Sequence, residues 1–270
     1  MVEITDNEFV HLSEYIYKNY VINLKGKKRA LLTGRLNGVL EKNGFQSFSE
    51  YCSYLERDRS GEAEKTLINQ ITTNYTYFMR ESSHFAFIKD AVLPALEQSV
   101  NDRDLRIWSA GCSTGEEAYT LAFLLDGYFR EKNWWDKTIL ATDISEKALG
   151  IAKRGIYETS RLTDLPPEWQ RDYFSQVDSE HMEVKSNIRN QVVFAPLNLM
   201  GDRFAFRKKF HVILCRNVMI YFDQKTKTDL VNRFYDITAP GGYLLIGHTE
   251  SIASWESKYK YIRPATYQKI

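Results

Sequence analysis

The chain predicts an α/β fold, a parallel sheet built from alternating strands and helices and preceded by a small all-helical N-terminal domain. Three features support this. From Asp6 to about Gln70 the apolar residues keep helical spacing, and no strand signal appears before Trp108. From Arg106 onward apolar strands alternate with helices, the pattern of a parallel sheet. At the junction, residues 105–122 read LRIWSAGCSTGEEAYTLA, a short apolar strand broken at two glycines and followed by helical spacing through Ala118, Leu121, Ala122 and Leu125.

Composition narrows the options. A length of 270 residues suits a small domain joined to a catalytic one of ordinary size. With 36 basic and 35 acidic residues, the net charge of +1 draws the protein towards neither nucleic acid nor an anionic membrane, so neither is expected as a partner. No stretch approaches the roughly 18 apolar residues of a membrane helix, and the opening MVEITDNEFV lacks a basic and apolar leader, which predicts a cytoplasmic protein without membrane insertion. Cys52, Cys112 and Cys215 are odd in number and form no CxxC pair. This argues against a disulfide framework and a zinc site, so no metal is expected and the thiols read as small buried groups.

In the N-terminal domain, residues 1–70, breaks fall at 23–26, 43–46 and 59–61. Phe9, Leu12 and Ile16 mark the buried stripe of the first helix, and Leu32, Leu36, Val39 and Leu40 that of the second, which Gly34 and Gly38 weaken. Lys25, Lys27, Lys28 and Arg29 open the second helix and Arg35 follows, cations where the helix dipole favours acids. Such a cluster is either a surface for an acidic partner or a solvated face. Residues 71–90 form a linker and the start of the site. ITTNYTYFMRE at 71–81 sets threonines, an asparagine and aromatics before one arginine, and Phe85, Phe87, Ile88, Val92 and Leu93 predict a helix anchored on the next domain. A polar and aromatic hinge of this kind is either a substrate pocket or an ordinary linker.

The domain at 91–270 holds the sheet. Its second strand, within 138–144, ends in Asp143, placed either to accept from ribose hydroxyls or to cap the following helix. Residues 162–190 are polar, carry Pro166 and Pro167 and alternate around His181, which predicts a small antiparallel β-subdomain at about 172–195 with His181 exposed. The sheet resumes at Val192, Val193 and Phe194 and reaches Asn198 and Leu199. The strand at 210–215 runs into Arg216, Asn217 and Tyr221, the exit at which doubly wound sheets bind ligands. Pro240, Gly241 and Gly242 turn into an apolar strand, and a hairpin at 259–269 closes the chain. This order suits a seven-stranded methyltransferase sheet better than a six-stranded dehydrogenase one.

The glycine turn bears on the ligand. It lets a ligand approach bare backbone and a helix N-terminus, yet it lacks both the third glycine of GxGxxG and the Lys-Ser/Thr of a P-loop. Glu116 and Glu117 stand where a phosphate would be repelled. A cationic or zwitterionic ligand is expected, and S-adenosylmethionine, with an ammonium and a sulfonium, meets that demand. Alone, the turn also fits a structural role, with φ > 0 at Gly111 and close helix packing at Gly115.

Five blocks in order, TTNYTYFMRE at 72–81, WSAGCSTGEEAYTLA at 108–122, ATDISEKALGIAKRGIY at 141–157, CRNVMIYFD at 215–223 and GGYLLIGHTES at 241–251, give the chain a specific likeness over almost its whole length. It resembles the bacterial chemotaxis receptor methyltransferases, protein-glutamate O-methyltransferases that move a methyl group from S-adenosylmethionine to glutamate side chains of chemoreceptors. The resemblance implies a Rossmann-like sheet with the helical domain in front and the β-subdomain inserted. It also implies S-adenosyl-L-methionine as cofactor, S-adenosyl-L-homocysteine as product, no metal, and the cytoplasmic methylation helices of chemoreceptors as partners in adaptation. Carried over by position, Asn74, Thr76, Arg80, Glu116, Asp143, Asn198, Leu199, Arg216 and Asn217 look like the cofactor-contacting set. Arg80 and Tyr221 resemble the pair near the transferred methyl and the incoming carboxylate, and Arg29 and Arg35 a basic pair that faces acidic methylation helices. In one place the chain departs from the pattern. Some members dock a receptor C-terminal peptide on a glycine-containing loop, whereas YFSQVDSEHMEVK at 173–185 has no glycine, which counts against such a tether.

A glutamate nucleophile is already ionised near neutral pH, so the absence of a His or Cys catalytic constellation is consistent with this chemistry. Two rivals stand beside it. One is a methyltransferase acting on an amino group of a base or protein, whose base-amino type would typically carry prolines after the strand-exit Asn or Asp, which residues 217–221 lack; the other is a nonenzymatic adaptor, which would not need Arg80, Glu116, Asp143 and Tyr221 intact.

Overall fold

Thr5 opens the first helix. Its side chain accepts from the Glu8 N–H and Glu8 bonds back to the Thr5 backbone, a capping box that fixes the start of α1 (Asp6–Tyr20). Three more helices follow, α2 (Arg29–Asn43), α3 (Phe48–Arg57), capped by Ser47, and α4 (Glu62–Ile71). The computed structural model describes residues 2–24, 28–132, 134–201, 204–253 and 257–270, so Lys25 and Lys27 lie outside the described residues. The chain divides into two units, residues up to 73 with 221–226, and residues 74–220 with 227–270.

In the helical unit Leu12, Ile16, Leu32, Leu36, Val39 and Leu40 are all buried on the stripes that the spacing predicts, whereas Phe9, expected on the first of them, is only half-buried. The basic residues of α2 make contacts within this unit. The Arg35 guanidinium donates to the carbonyls of Ile71 at 2.7 Å and Thr72 at 3.2 Å and to Thr73 Oγ1 at 3.0 Å, closing the C-terminal end of α4 where carbonyls lack partners. Arg29 binds exposed Asp6 and the Ile4 carbonyl, and Lys28 Nζ donates to Asn23 O at 3.0 Å. These cations therefore tie the unit together, through main-chain carbonyls, the Thr73 hydroxyl and the Asp6 carboxylate. Lys42 borders a groove of about 330 Å³ with Gly34, Gly38, Thr66 and Gln70.

The second unit starts with α5 (Ser83–Phe87), which passes through a π-helical stretch, Ile88–Val92, into α6 (Leu93–Ser99). Then come β1 (Ile107–Ala110), α7 (Glu116–Tyr128), β2 (Ile139–Asp143), α8 (Glu146–Arg154), β3 (Ile156–Glu158), α9 (Pro167–Tyr173), β4 (Phe174–Gln176), β5 (His181–Val184), α10 (Ser186–Arg189) and β6 (Val192–Pro196). The remainder is β7 (Phe210–Cys215), α11 (Gln224–Ile237), β8 (Thr238–Ile246), β9 (Lys260–Arg263) and β10 (Thr266–Gln268). The first three residues of α11 group with the helical unit. The large sheet has the order β6-β2-β1-β7-β8-β10-β9, parallel from β6 to β8, with β10 antiparallel to both its neighbours. Strand order reverses between β1 and β7, which places the ligand crevice of such sheets at their carboxyl ends.

Two buried aromatics anchor the second unit. Trp108 is fully buried, donates to Thr142 Oγ1 at 2.9 Å, and packs on Phe204, Phe206, Phe210 and Phe234. Phe78, equally buried, packs on Phe123, Tyr157 and Phe174, which fixes the chain just ahead of Arg80. The small sheet, order β3-β5-β4, begins earlier than the sequence pattern places it, and β6 belongs to the large sheet. Gly155, with φ of +64°, ends α8 and turns straight into β3, a three-residue strand that follows a helix too closely to show alternation. His181 is partly exposed and pairs with Asp178, and all three cysteines are buried and free. No helix among the described residues is long and apolar enough to cross a membrane.

A methyl group added at Gly38 would meet nothing within 4 Å, and α2 keeps its helical path there. Gly38→Ala is therefore expected to stabilise the protein by about 0.5–1 kcal/mol through the lost freedom of the unfolded chain. A urea transition at higher concentration checks this, and a lower one would contradict it.

Candidate functional site

The site grows from the turn after β1. Gly111, with φ of +89°, and Cys112 donate their N–H groups to the Thr142 carbonyl at 2.7 and 2.9 Å, which ties the turn to the end of β2. A Cβ on Gly111 would stand 2.4 Å from Val218 Cγ2, so the exits of β1 and β7 are packed as closely as glycine allows. Gly115, with φ of +97°, starts α7, and a Cβ there would lie 2.8 Å from that of Ala152. Both structural demands on these glycines are therefore real.

Asp143 is buried at the tip of β2. Its Oδ2 accepts from the Ser113 N–H at 2.7 Å and its Oδ1 from the Ser145 N–H at 2.9 Å. Burial pushes its pKa up, against the pull of these backbone donors. Ser145, not Asp143, caps α8, accepting from the Ala148 N–H at 3.2 Å, so Asp143 is not the helix cap. A carboxylate has about four acceptor sites, so Asp143 retains capacity for further donors. Ser113 Oγ in turn donates to Asn74 O at 3.0 Å, and Asn74 Nδ2 reaches Ser145 Oγ at 3.3 Å. Asn198 and Leu199 follow β6 beside this tip, where the Leu197 N–H donates to Asp143 O at 3.0 Å. Asn198 Oδ1 accepts from the Met200 N–H at 2.9 Å, and Leu199 is buried.

Glu116 is wholly buried in the first turn of α7. Thr114 Oγ1 donates to its Oε2 at 2.6 Å, and Arg161 Nη2 stands 2.5 Å from Oε1, outside hydrogen-bond geometry yet close enough for strong Coulomb attraction. Burial raises the pKa of Glu116, and Thr114 and Arg161 hold it down. Arg161 also donates to Thr76 O at 3.0 Å, linking the hinge segment to the turn. The sequence pattern does not single out Arg161. The only available signal is that an acid in an apolar helix start requires a cation from elsewhere.

Arg80 lies half-buried between left-handed Met79 and Glu81, at φ of +58° and +55°. Its Nη1 donates to Tyr75 O at 2.8 Å, and its guanidinium lies 5.8 and 5.9 Å from the ring centroids of Tyr75 and Tyr77. Arg216 is enclosed by acids. Its side chain is 2% exposed and meets Glu81 Oε2 at 3.1 Å, Glu117 Oε2 at 2.9 Å and the Arg80 carbonyl, so it offers a ligand only its main chain. Ser109 Oγ completes Glu117 at 2.7 Å. Asn217, at φ of +59°, donates its N–H to Glu250 at 3.0 Å and Nδ2 to Glu81 at 3.3 Å. Glu250, which the sequence did not mark, also accepts from the Gly247 and Ile220 N–H groups at 2.6 and 3.1 Å. Met79, Glu81, Ser113 and Asn217 are four of the seven non-glycine residues with positive φ among the described residues, and each costs about 1–3 kcal/mol that the surrounding bonds must hold.

The second unit thus gathers Asn74, Thr76, Glu116, Asp143, Asn198 and Leu199 at the ends of β1, β2 and β6, and Arg80, Arg216 and Asn217 at those of β1 and β7. Tyr221 groups with the helical unit, where its carbonyl accepts from the Asn23 N–H at 3.3 Å and Lys28 Nζ lies 5.5 Å from its ring centroid. Arg29 and Arg35 belong to that unit too. Acceptors at a β2 tip, a bare glycine turn and buried acids suit a ligand with ribose hydroxyls and positive charge.

This sheet order and this site define an S-adenosylmethionine-dependent methyltransferase. Residues 74–267 match the family described as CheR methyltransferase, SAM binding domain, and residues 7–72 that described as CheR methyltransferase, all-alpha domain. The chemotaxis protein methyltransferase of Borreliella burgdorferi is 43% identical over 272 residues, 99% of this chain and 96% of that protein. Its counterpart from Escherichia coli is 34% identical over 260 residues, 95% of this chain and 88% of that one. The chain belongs to the CheR methyltransferase family, the methyltransferases of chemotaxis.

Arg161→Ala would leave Glu116 buried without its cation, at a cost of about 3 kcal/mol. Because burial raises the folded pKa of Glu116 above its unfolded value, stability from this group is lost as pH rises, and removing Arg161 raises that pKa further. The deficit measured by urea unfolding is expected to be larger at pH 8 than at pH 5, and a deficit independent of pH would contradict the pairing.

Proposed function

We propose that this enzyme methylates glutamate side chains of chemoreceptors, forming carboxyl methyl esters during chemotaxis adaptation in the cytoplasm. The observation that carries this reading is Arg80, a half-buried guanidinium with one of its five N–H donors used, on Tyr75 O, among the described residues. A planar fork of this kind suits a carboxylate, which it can orient without removing a proton.

S-adenosylmethionine, when bound, supplies an activated methyl group with a neutral thioether as leaving group. Asp143, with free acceptor capacity, is assigned to its ribose hydroxyls, and Glu116, together with the main chain of Arg216 and Asn217, to the remainder of the same ligand. Asn74, Thr76, Asn198 and Leu199 line that end of the sheet. Arg80 holds one carboxylate oxygen so that the other faces the methyl group, and this alignment supplies several kcal/mol of barrier lowering. Its grip must be no stronger before the reaction than during it, otherwise only binding improves. Tyr221 is assigned to the same step as a hydrogen-bond donor on the strength of the family resemblance. Arg29 and Arg35 are assigned to the acidic methylation helices, for which Arg29 would leave exposed Asp6 and Arg35 would leave the carbonyls at the end of α4.

Receptor-containing membranes incubated with labelled methyl donor are expected to take up label that mild alkali releases. Arg80→Ala should lower turnover at saturating substrates by about a hundredfold or more, comparable with loss of a transition-state donor. Asp143→Ala should mainly weaken cofactor affinity, by about tenfold or more, which is about 1.4 kcal/mol. Alkali-stable label would overturn the ester and favour transfer to an amino group, and normal turnover in Arg80→Ala would remove its assigned role.

A further inference from the structure

His84 is 1% exposed and neither ring nitrogen has a hydrogen-bond partner, an arrangement that is unfavourable if nothing fills it. Its Nδ1 stands 3.6 Å from Glu81 Oε2, and the exposed ring of His248 packs against it edge-on with centroids 4.7 Å apart. One donor atom from each of Glu81, His84 and His248 lies within 4.8 Å of the other two. We propose that Glu81, His84 and His248 form a binding site for one divalent transition-metal ion of the zinc class.

The donor set fits that ion. Two imidazoles and one carboxylate, with one position left to solvent, make a common zinc arrangement, and imidazole selects zinc, copper, nickel or cobalt over magnesium and calcium. Metal–ligand bonds of about 2.0–2.1 Å at tetrahedral angles set neighbouring donors about 3.3 Å apart, which the Glu81–His84 pair nearly meets. His248 makes the larger adjustment, and it lies on the surface, where its side chain can turn and an ion can enter. Its Nε2 now touches Ser83 Oγ at 3.2 Å.

The surroundings support Glu81 as a ligand. Arg216 at 3.1 Å, Asn217 Nδ2 at 3.3 Å and the His248 N–H at 3.1 Å fix its carboxylate, as outer partners of metal-binding carboxylates do. Arg216 is a positive charge close to an incoming cation, and Glu81 and Glu117 both touch it, so the group carries one net negative charge before an ion arrives. The cysteines are buried elsewhere, and no sequence spacing announces the site, since it joins residues three apart to one that follows β8.

Cobalt(II) titrated into the full-length, chelator-treated protein is the test. The expected result is a visible absorption band of a low-symmetry, imidazole-bound ion, saturating at one ion per chain and displaced by one equivalent of zinc. His248→Ala, a surface change that leaves the core intact, should weaken binding at least tenfold, and so should Glu81→Gln. Absence of saturable one-ion binding, or unchanged affinity in His248→Ala, would overturn the proposal, and neither result depends on methyl transfer.

Discussion

The carboxylate of Asp143 holds two strand ends and a hinge in one arrangement. By accepting from Ser113 it keeps a left-handed turn in place after β1, and by accepting from Ser145 it sets the start of α8. Ser113 then fixes Asn74, where the segment leading to Arg80 begins. Arg216 holds the far end of that segment through the Arg80 carbonyl and Glu81. Arg80 thus sits on a stretch pinned at both ends, with buried Phe78 between them. Rigid support of this kind is what an alignment-driven reaction demands.

Electrostatics in the second unit follows one rule. Acids are buried in number, and each is answered. Glu116 faces Arg161, Glu81 and Glu117 share Arg216, and Asp143 and Glu250 draw on backbone N–H groups. Desolvation still raises the pKa of Glu116, Asp143 and Glu250. Each of these acids is nonetheless compensated by a cation or by backbone donors.

Much of this was legible in the chain. Periodicity gave the four helices, and the glycine turn, the acid ending β2 and the exit of β7 marked the carboxyl edge, because each rests on a local demand for φ > 0, an apolar run or a strand end. What sequence could not give was direction. The sequence places Arg216 at a strand exit and Arg35 in a basic cluster without showing where either side chain turns, and one is enclosed by two acids while the other closes α4. Arg161 and Glu250 act through partners 45 and 33 residues away, counting from Glu116 and Asn217, distances at which spacing carries no signal. The π-helical stretch and the three-residue β3 were hidden because apolar periodicity resolves neither a widened turn nor so short a strand.

The central claim is that the β1 turn and the β2 tip, organised by Asp143, receive the methyl donor. Backbone amide resonances followed during titration with S-adenosylhomocysteine test it directly. The account requires saturable shifts concentrated at residues 111–116 and 143–145, with the Ser113 and Ser145 amides among the most affected. Saturable binding that left those amides unmoved and shifted resonances elsewhere would contradict it.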